Sequence, residues 1–478
     1  MFETTRPFLL FDRFRVPHTR AVVEVAGIPA VRTEGDGPAL FWSTAPFQRP
    51  EQGRPGSYLL GGIPIFGALA PEEAIPRRLA LLGGTWRRDR AIRSRNGVDA
   101  ACVWRRDDGS FFLPFDPNEI IANYLSERYK PLVSPALVPQ VEGLARQSWY
   151  RARPFLPRSA QMRLRRSFSR VQARAPFPRW PIETALHDFF GFLFSLLAEI
   201  AAEPIPTLAP WPNGFRWALV LTHDVEGAVG HENLLRLLEV ELRRGYRSSW
   251  NFVPEGDRST EDVFVQELRH SGFEVGVHGL HHDGRDLASA RMLKRRLPRL
   301  HAYADRWQAV GFRSPGTLRS WELMPLLGFD YDSSYSDTAP FEPQPGGCCS
   351  WLPYMIKDLV ELPITLPQDH TLFELLGHRD GAVWSHKTRF LRDQGGMALM
   401  LTHPDYIGNR FLLAAYEQFL DEFADDETAW RPLARDVSSW WRRRAATTLR
   451  RVEGAWEVEG PARGEAVIEL AGATPVAV

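Results

Sequence analysis

The stretch Phe215–Gly227, "FRWALVLTHDVEG", joins two segments with opposite demands. Its first half is an apolar run suited to a strand buried on both faces. It stops at His223, Asp224 and Glu226, three groups that titrate or bind metal. Alternation along an extended chain puts Asp224 and Glu226 on one side, with His223 and Val225 on the other. One carboxylate can then ligate a cation while its neighbour serves as a base. His223 reads as a core histidine or one that supports the site from behind.

The same pattern recurs downstream. Apolar runs "RWALVLTHD", "RSSWNFVP", "FEVGVHG", "AVGFRSP", "FDYDSSY", "LVELPIT" and "MALMLTHP" alternate with amphipathic stretches such as "ENLLRLLEVELRRG", "VFVQELRHSG" and "SARMLKRRLPRLHAYADRW". Strands separated by helices pair in parallel, and about seven such units predict a closed or nearly closed barrel; a doubly wound open sheet is the alternative. In such sheets functional groups gather at the carboxyl ends of the strands. His278, His281 and His282 follow the third run, Arg313 the fourth, Asp332 lies on or near the fifth, and His403 and Asp405 end the last. Buried charges on runs this apolar need partners or a metal. In "GVHGLHHDG", His278 and His282 stand four apart and can turn toward one point; two imidazoles, a carboxylate and water suit a catalytic zinc or another divalent metal.

These residues in this order resemble the polysaccharide deacetylase family, the NodB-homology fold of carbohydrate esterase family four: an acidic pair in "THDVE", a histidine pair in "HGLHH", Arg-x-Pro in "RSP", and a late histidine in "LMLTHPD". The likeness spans about residues 206 to 430. It implies a distorted (β/α)7 barrel and metal-dependent removal of an acetyl group from an N-acetylated or O-acetylated sugar, with metal-activated water as nucleophile. By that resemblance Asp224 is the base, Glu226, His278 and His282 hold the metal, Arg313 orients the base, and His403 is the acid. Asp332 is placed as the carboxylate that tunes His403. Three positions depart from the family pattern: Val225 replaces a second Asp directly after Asp224, Gly279 replaces a Ser or Thr, and Thr402 replaces the leucine before His403. The resemblance also admits hydrolysis of a non-sugar amide or cyclic amide, as in allantoinase-like relatives, or a glycan-binding protein with an inactive barrel.

At 478 residues the chain holds two or three domain-sized units. Residues 1–135 read as an α+β domain, 136–205 as an arginine-rich helical connector, 206–432 as the barrel, and 433–478 as a helix with a small β appendage. The glycines of "GSYLLGGIPIFG" lack the spacing of a nucleotide loop and read as turns between strands. Lys and Arg total 58 and so do Asp and Glu, so bulk charge points to no nucleic-acid partner. The one basic patch, residues 141–180, has ten arginines and one acid and is either a solvated connector or a dock for a phosphate- or lipid-linked glycan precursor. Three cysteines and no long apolar run lead to the expectation of a cytoplasmic protein with no transmembrane segment. The adjacent Cys348 and Cys349 read as packing.

Overall fold

A computed structural model describes residues 1–21, 27–35, 37–44, 56–133, 169, 172, 176–257 and 260–471. The chain divides into two compact units, one of Met1–Val138, Thr184–Ala209 and Arg443–Val478, the other of Pro139–Glu183 and Pro210–Arg442. Most of the arginine-rich patch at 141–180 lies outside the described residues. No helix among the described residues is long and apolar enough to cross a membrane.

The first unit is built on a nine-stranded, mixed sheet, and the glycine-rich "GSYLLGGIPIFG" forms a hairpin within it, Gly56–Leu60 against Ile63–Gly67. Strands Ala39–Trp42 and Phe111–Leu113 carry its buried centre. The helix Pro117–Leu125 starts where sequence signals place it: Asp116 accepts from the Asn118 N–H at 2.9 Å, and Pro117 sits at the first helical position. Thr184–Ala209, of which residues 184–205 are expected in the connector and 206–209 in the barrel, and Arg443–Val478 both belong to this unit. Ile205–Leu208 pairs antiparallel with Ile468–Ala471, so the β appendage extends a strand from earlier in the chain.

The second unit has an α/β architecture. Each of the seven apolar runs forms a strand: β1 Trp217–Val225, β2 Ser249–Phe252, β3 Glu274–Val277, β4 Gly311–Phe312, β5 Tyr331–Asp332, β6 Leu359–Glu361 and β7 Met397–Thr402. Their pairings are parallel, in the order β6-β5-β4-β3-β2-β1-β7, with a short antiparallel strand, Tyr354–Ile356, beside β6. Strand pairing does not link β6 to β7, but the chain leaving β6 does: Thr365 and Leu366 both donate to the Leu399 carbonyl at 3.3 and 3.0 Å. Helices α1 Ala228–Arg243, α2 Asp262–His270 and α3 Ala290–Trp307 follow β1, β2 and β3, and α4 Ala382–Asp393 precedes β7.

All nine residues of β1 are buried, which explains its near-continuous apolar composition. The one imidazole facing away from the acids is accommodated by a polar set of its own. His223 Nε2 lies 2.7 Å from Glu241 Oε1 on α1 and its Nδ1 2.8 Å from the Thr402 hydroxyl, while the ring centre lies 4.2 Å from that of Trp250. Glu241 also accepts from Ser248 and from Tyr416, each at 2.5 Å. A buried carboxylate satisfied in this way fixes the helix against the sheet. It also gives Thr402 a reason to stand where the family pattern has leucine.

Candidate metal centre and active site

The rim of the sheet is organised from β1. Thr222 and Asp224 share a side of the strand, and both meet Arg313, which leaves the end of β4. Arg313 Nη1 donates to Thr222 Oγ1 at 2.9 Å and to Asp224 Oδ1 at 3.1 Å, while its Nε and Nη2 donate to the Ser333 carbonyl and hydroxyl at 2.7 and 2.8 Å. The amide of Asn251, at the end of β2, donates to the same Asp224 oxygen at 2.9 Å. Burial alone would raise the Asp224 carboxyl, but Arg313, His278, His403 and the Asn251 hydrogen bond outweigh it and hold the group ionised, below its ordinary range.

Glu226, His278 and His282 come together, with one ligand atom of each within 4.8 Å of the others. Glu226 Oε1 lies 2.9 Å from His282 Nε2, 4.0 Å from His278 Nε2 and 3.7 Å from His403 Nε2. Burial would raise the Glu226 carboxyl, but His282 above all, with His403 and His278, holds it well below its usual value. His278 is positioned by backbone: its Nδ1 lies 3.1 Å from the Arg313 carbonyl, which can only accept, so Nδ1 carries the proton and the Nε2 lone pair faces the cluster. That Nε2 is buried and makes no hydrogen bond among the described residues. Desolvation, with His282 and Arg313, pushes the His278 pKa down to about 4 against the pull of Asp224 and Glu226, so the ring is neutral.

The loop carrying both imidazoles is held from below. Arg296 on α3 binds both oxygens of Asp283, at 2.7 and 2.6 Å, and Asp286 at 2.9 Å, and Asp286 accepts from the Leu280 N–H at 3.3 Å. Gly279 has φ +63°, and a Cβ there would stand 2.6 Å from both Asp286 and Pro315, so a Ser or Thr does not fit this turn. His282 itself sits at φ +44°, an uncommon conformation for a non-glycine residue. His281 turns away, its Nδ1 at 3.2 Å from the Glu255 carbonyl and its Nε2 at 3.4 Å from the Glu255 carboxylate.

The neutral His278, the adjacent His282 and the ionised Glu226 form a donor set suited to zinc or a similar divalent ion, and the orphaned His278 nitrogen fits a ligand better than a packing residue. The donation of Nδ1–H to a carbonyl is the outer contact that commonly orients a metal-binding imidazole.

Asp332 requires a correction. The resemblance puts it beside His403, yet β5 is separated from β7 by β4, β3, β2 and β1 in the sheet. Asp332 instead accepts from the Ser334 N–H and hydroxyl at 2.8 and 3.0 Å and lies against Glu361, whose Oε1 accepts from the N–H groups of Ser334 and Tyr335 at 3.1 and 2.9 Å. Desolvation raises Asp332 to about 6 and, with the Asp332 charge, drives Glu361 well above its normal value; the two carboxyls cannot both ionise there.

The carboxylate beside His403 is Asp369. Its Oδ1 accepts from His403 Nδ1 at 2.6 Å and its Oδ2 from the His403 N–H at 2.7 Å. Burial opposes the charged imidazole, but Asp369 first, then Glu226 and Asp224, more than reverse this and raise His403 to about 10. Asp369 follows the apolar run "LVELPITLPQ", and an acid at the end of that run was the available signal for it. Asn251, a lone amide in the aromatic "SSWNF", was the signal for the second missed residue. Asp405 caps the turn after β1, accepting from the N–H groups of Glu226 and Gly230 at 3.1 Å each.

Fold and site together define an α/β protein with a candidate divalent-metal centre at the carboxyl rim of a parallel sheet. No protein-family model and no curated protein matches the chain. Over about half its length it is similar to solved structures of polysaccharide deacetylases and family 4 carbohydrate esterases. One is described as a polysaccharide deacetylase from Mycobacterium smegmatis (20% identity, 49% of this chain and 93% of that one, TM-score 0.40). Another is so described from Pseudomonas aeruginosa PAO1 (18%, 48% and 93%, TM-score 0.40), and a third is an allantoinase (16%, 48% and 92%, TM-score 0.39).

Proposed function

We propose that the chain is a metal-dependent hydrolase that removes an acetyl group from an N-acetylated or O-acetylated sugar. The observation that carries this reading is the meeting of Glu226, His278 and His282 between two groups in opposite protonation states, Asp224 ionised and His403 protonated. An acid and a base whose surroundings push them apart are what acyl hydrolysis requires.

In this proposal Glu226, His278 and His282 hold the ion. A divalent cation supplies Lewis-acid polarisation of a carbonyl and lowers the pKa of water toward about 7. Asp224 Oδ2, 3.7 Å from His278 Nδ1, takes the proton of the attacking water, while Oδ1 stays occupied by Arg313 and Asn251. Arg313 keeps that carboxylate charged and aimed. His403 Nε2 gives its proton to the departing amine or hydroxyl, and Asp369 on the opposite nitrogen keeps the ring in the orientation that presents Nε2.

The test is acetate release from a panel of N-acetyl and O-acetyl sugars, with ureides as comparators, measured beside metal content per chain. Release from sugars alone supports the reading. Turnover of the ureides alone replaces it with an amidohydrolase, and sugar binding without metal or release replaces it with a binding protein.

A further inference from the structure

Parallel pairing between β1 and β7 ends at His223 and Thr402, and pairing between β1 and β2 ends at Val225 and Phe252. Glu226 therefore lies one residue past the last paired position of its strand, where the sheet no longer fixes its backbone. Gly227 follows in an extended conformation (φ −153°, ψ −171°) and opens α1 with no side chain to cap it. A ligand carried on such a joint can swing, and metal affinity falls when its donors are not held in place.

The missing restraint comes from the chain leaving β7. Asp405 lies in the turn Pro404–Tyr406 directly after His403, and its two oxygens divide between the joint and the helix: Oδ2 accepts from the Glu226 N–H and Oδ1 from the Gly230 N–H, each at 3.1 Å. The bond to the Glu226 N–H sets the peptide plane before that residue and with it the direction of its Cβ. The bond to Gly230 supplies the helix cap that Gly227 lacks. The approach is close enough to dictate a residue, since a Cβ on Gly230 would stand 2.2 Å from Oδ2 and 2.7 Å from Cγ of Asp405. Glycine inside a helix is otherwise a poor choice, so its place here is explained by the carboxylate. The same turn carries His403, whose carbonyl accepts from the Tyr406 N–H at 3.0 Å and whose Nε2 lies 3.7 Å from Glu226 Oε1. One carboxylate thus links the backbone of a proposed metal ligand to the turn that holds the proposed acid.

We propose that Asp405 is a positioning residue for the metal centre: it acts through the Glu226 backbone to turn that side chain toward His278 and His282 and to set its separation from His403. This rests on the hydrolase reading for the identity of the centre and deepens it, because a carboxylate ligand placed beyond the strand end depends on a second carboxylate, from the turn after β7, to stay in place.

Zinc affinity of the full chain, measured against a chromophoric chelator, tests this without any substrate. Asp405→Ala is expected to bind zinc about 10- to 100-fold more weakly, and Asp405→Asn, which keeps an acceptor oxygen for one of the two N–H groups, to lose less. Gly230→Ala leaves Asp405 present and improves the helix-forming tendency, yet forces the carboxylate aside, so it is expected to weaken zinc binding too. A carboxylate that serves only as a helix cap predicts no such loss, and Gly230→Ala carries the test should Asp405→Ala fail to fold. In a chain that already carries Glu226→Ala, removing Asp405 is expected to change zinc affinity by less than about twofold, because the ligand through which it acts is gone. Wild-type affinity in folded Asp405→Ala or in Gly230→Ala overturns the proposal, and so does an equal loss with and without Glu226. Absence of zinc binding by the wild type overturns both the centre and this assignment. Zinc binding without acetate release from any sugar defeats the hydrolase reading and leaves the assignment standing, whereas release with unaltered zinc affinities in the variants defeats the assignment alone.

Discussion

Asp369 grips His403 at two points, accepting the backbone N–H at 2.7 Å through one oxygen and the Nδ1 proton at 2.6 Å through the other. The two contacts fix both the rotation of the ring and its charge. Asp369→Asn keeps the shape and removes the charge, so the alkaline limb of the pH–rate profile is expected to move toward neutrality by more than one unit. The rate at neutral pH falls about a hundredfold. His403 binds its proton more tightly folded, at about 10, than at its ordinary 6.5. The stability it contributes is therefore complete below 6.5 and is lost as the pH rises through about 10. A cation at Glu226 would bring that upper value down. An unchanged alkaline limb in Asp369→Asn rules out His403 as the acid.

Metal content distinguishes the ligands from the base. His278→Ala removes a buried donor, and its stoichiometry is expected to drop from about one ion per chain toward background. Asp224→Asn is expected to retain the ion and lose about 10²- to 10⁴-fold in rate. Elemental analysis of each variant after dialysis against zinc reads both outcomes. Retention of full metal by His278→Ala would move the centre elsewhere.

The residues written at the ends of apolar runs were legible because burial leaves few reasons for a charge to stand there. Asp224, Arg313 and His403 were found in that way, and so were the seven strands. Asp369 was not, since it lies beyond β6 after an irregular stretch, and only the fold shows that this stretch passes beside β7 through Thr365 and Leu399. Asp332 was misplaced for the converse reason: it ends a strand correctly, but sheet order, not sequence, decides which strand ends are neighbours.

Arg313 and Asp224 form an ion pair at 3.1 Å in which both side chains are buried. Removing one partner leaves the other charged in a medium that cannot solvate it. Arg313→Met is expected to destabilise by about 3–5 kcal/mol in denaturant titrations at neutral pH. The pH dependence carries the diagnostic sign. Wild-type Asp224, held below its ordinary 3.8, contributes stability above that value and loses it as the pH falls through its folded pKa. In the variant burial is no longer offset by the arginine, so protonation relieves the strain. The stability gap between the two proteins should narrow in acid, and a gap that stays constant from neutral pH to pH ~4 would mean that Asp224 is not the group Arg313 stabilises.

Arg296 makes no contact with Glu226, His278 or His282 among its described hydrogen bonds, yet it ties Asp283 and Asp286 to α3 and so closes the loop on which His282 is held at φ +44°. Releasing that loop frees His282 to relax its backbone while leaving His278, anchored by the Arg313 carbonyl, in place. Arg296→Ala is therefore expected to bind zinc about 10- to 100-fold more weakly, in competition with a chromophoric chelator, without shifting the alkaline limb assigned to His403. Arg296→Lys restores the charge but not the fork that spans two carboxylates, and should recover only part of the affinity. Wild-type zinc affinity in Arg296→Ala would show that the His282 conformation is fixed by the metal ligands themselves rather than by the loop beneath them.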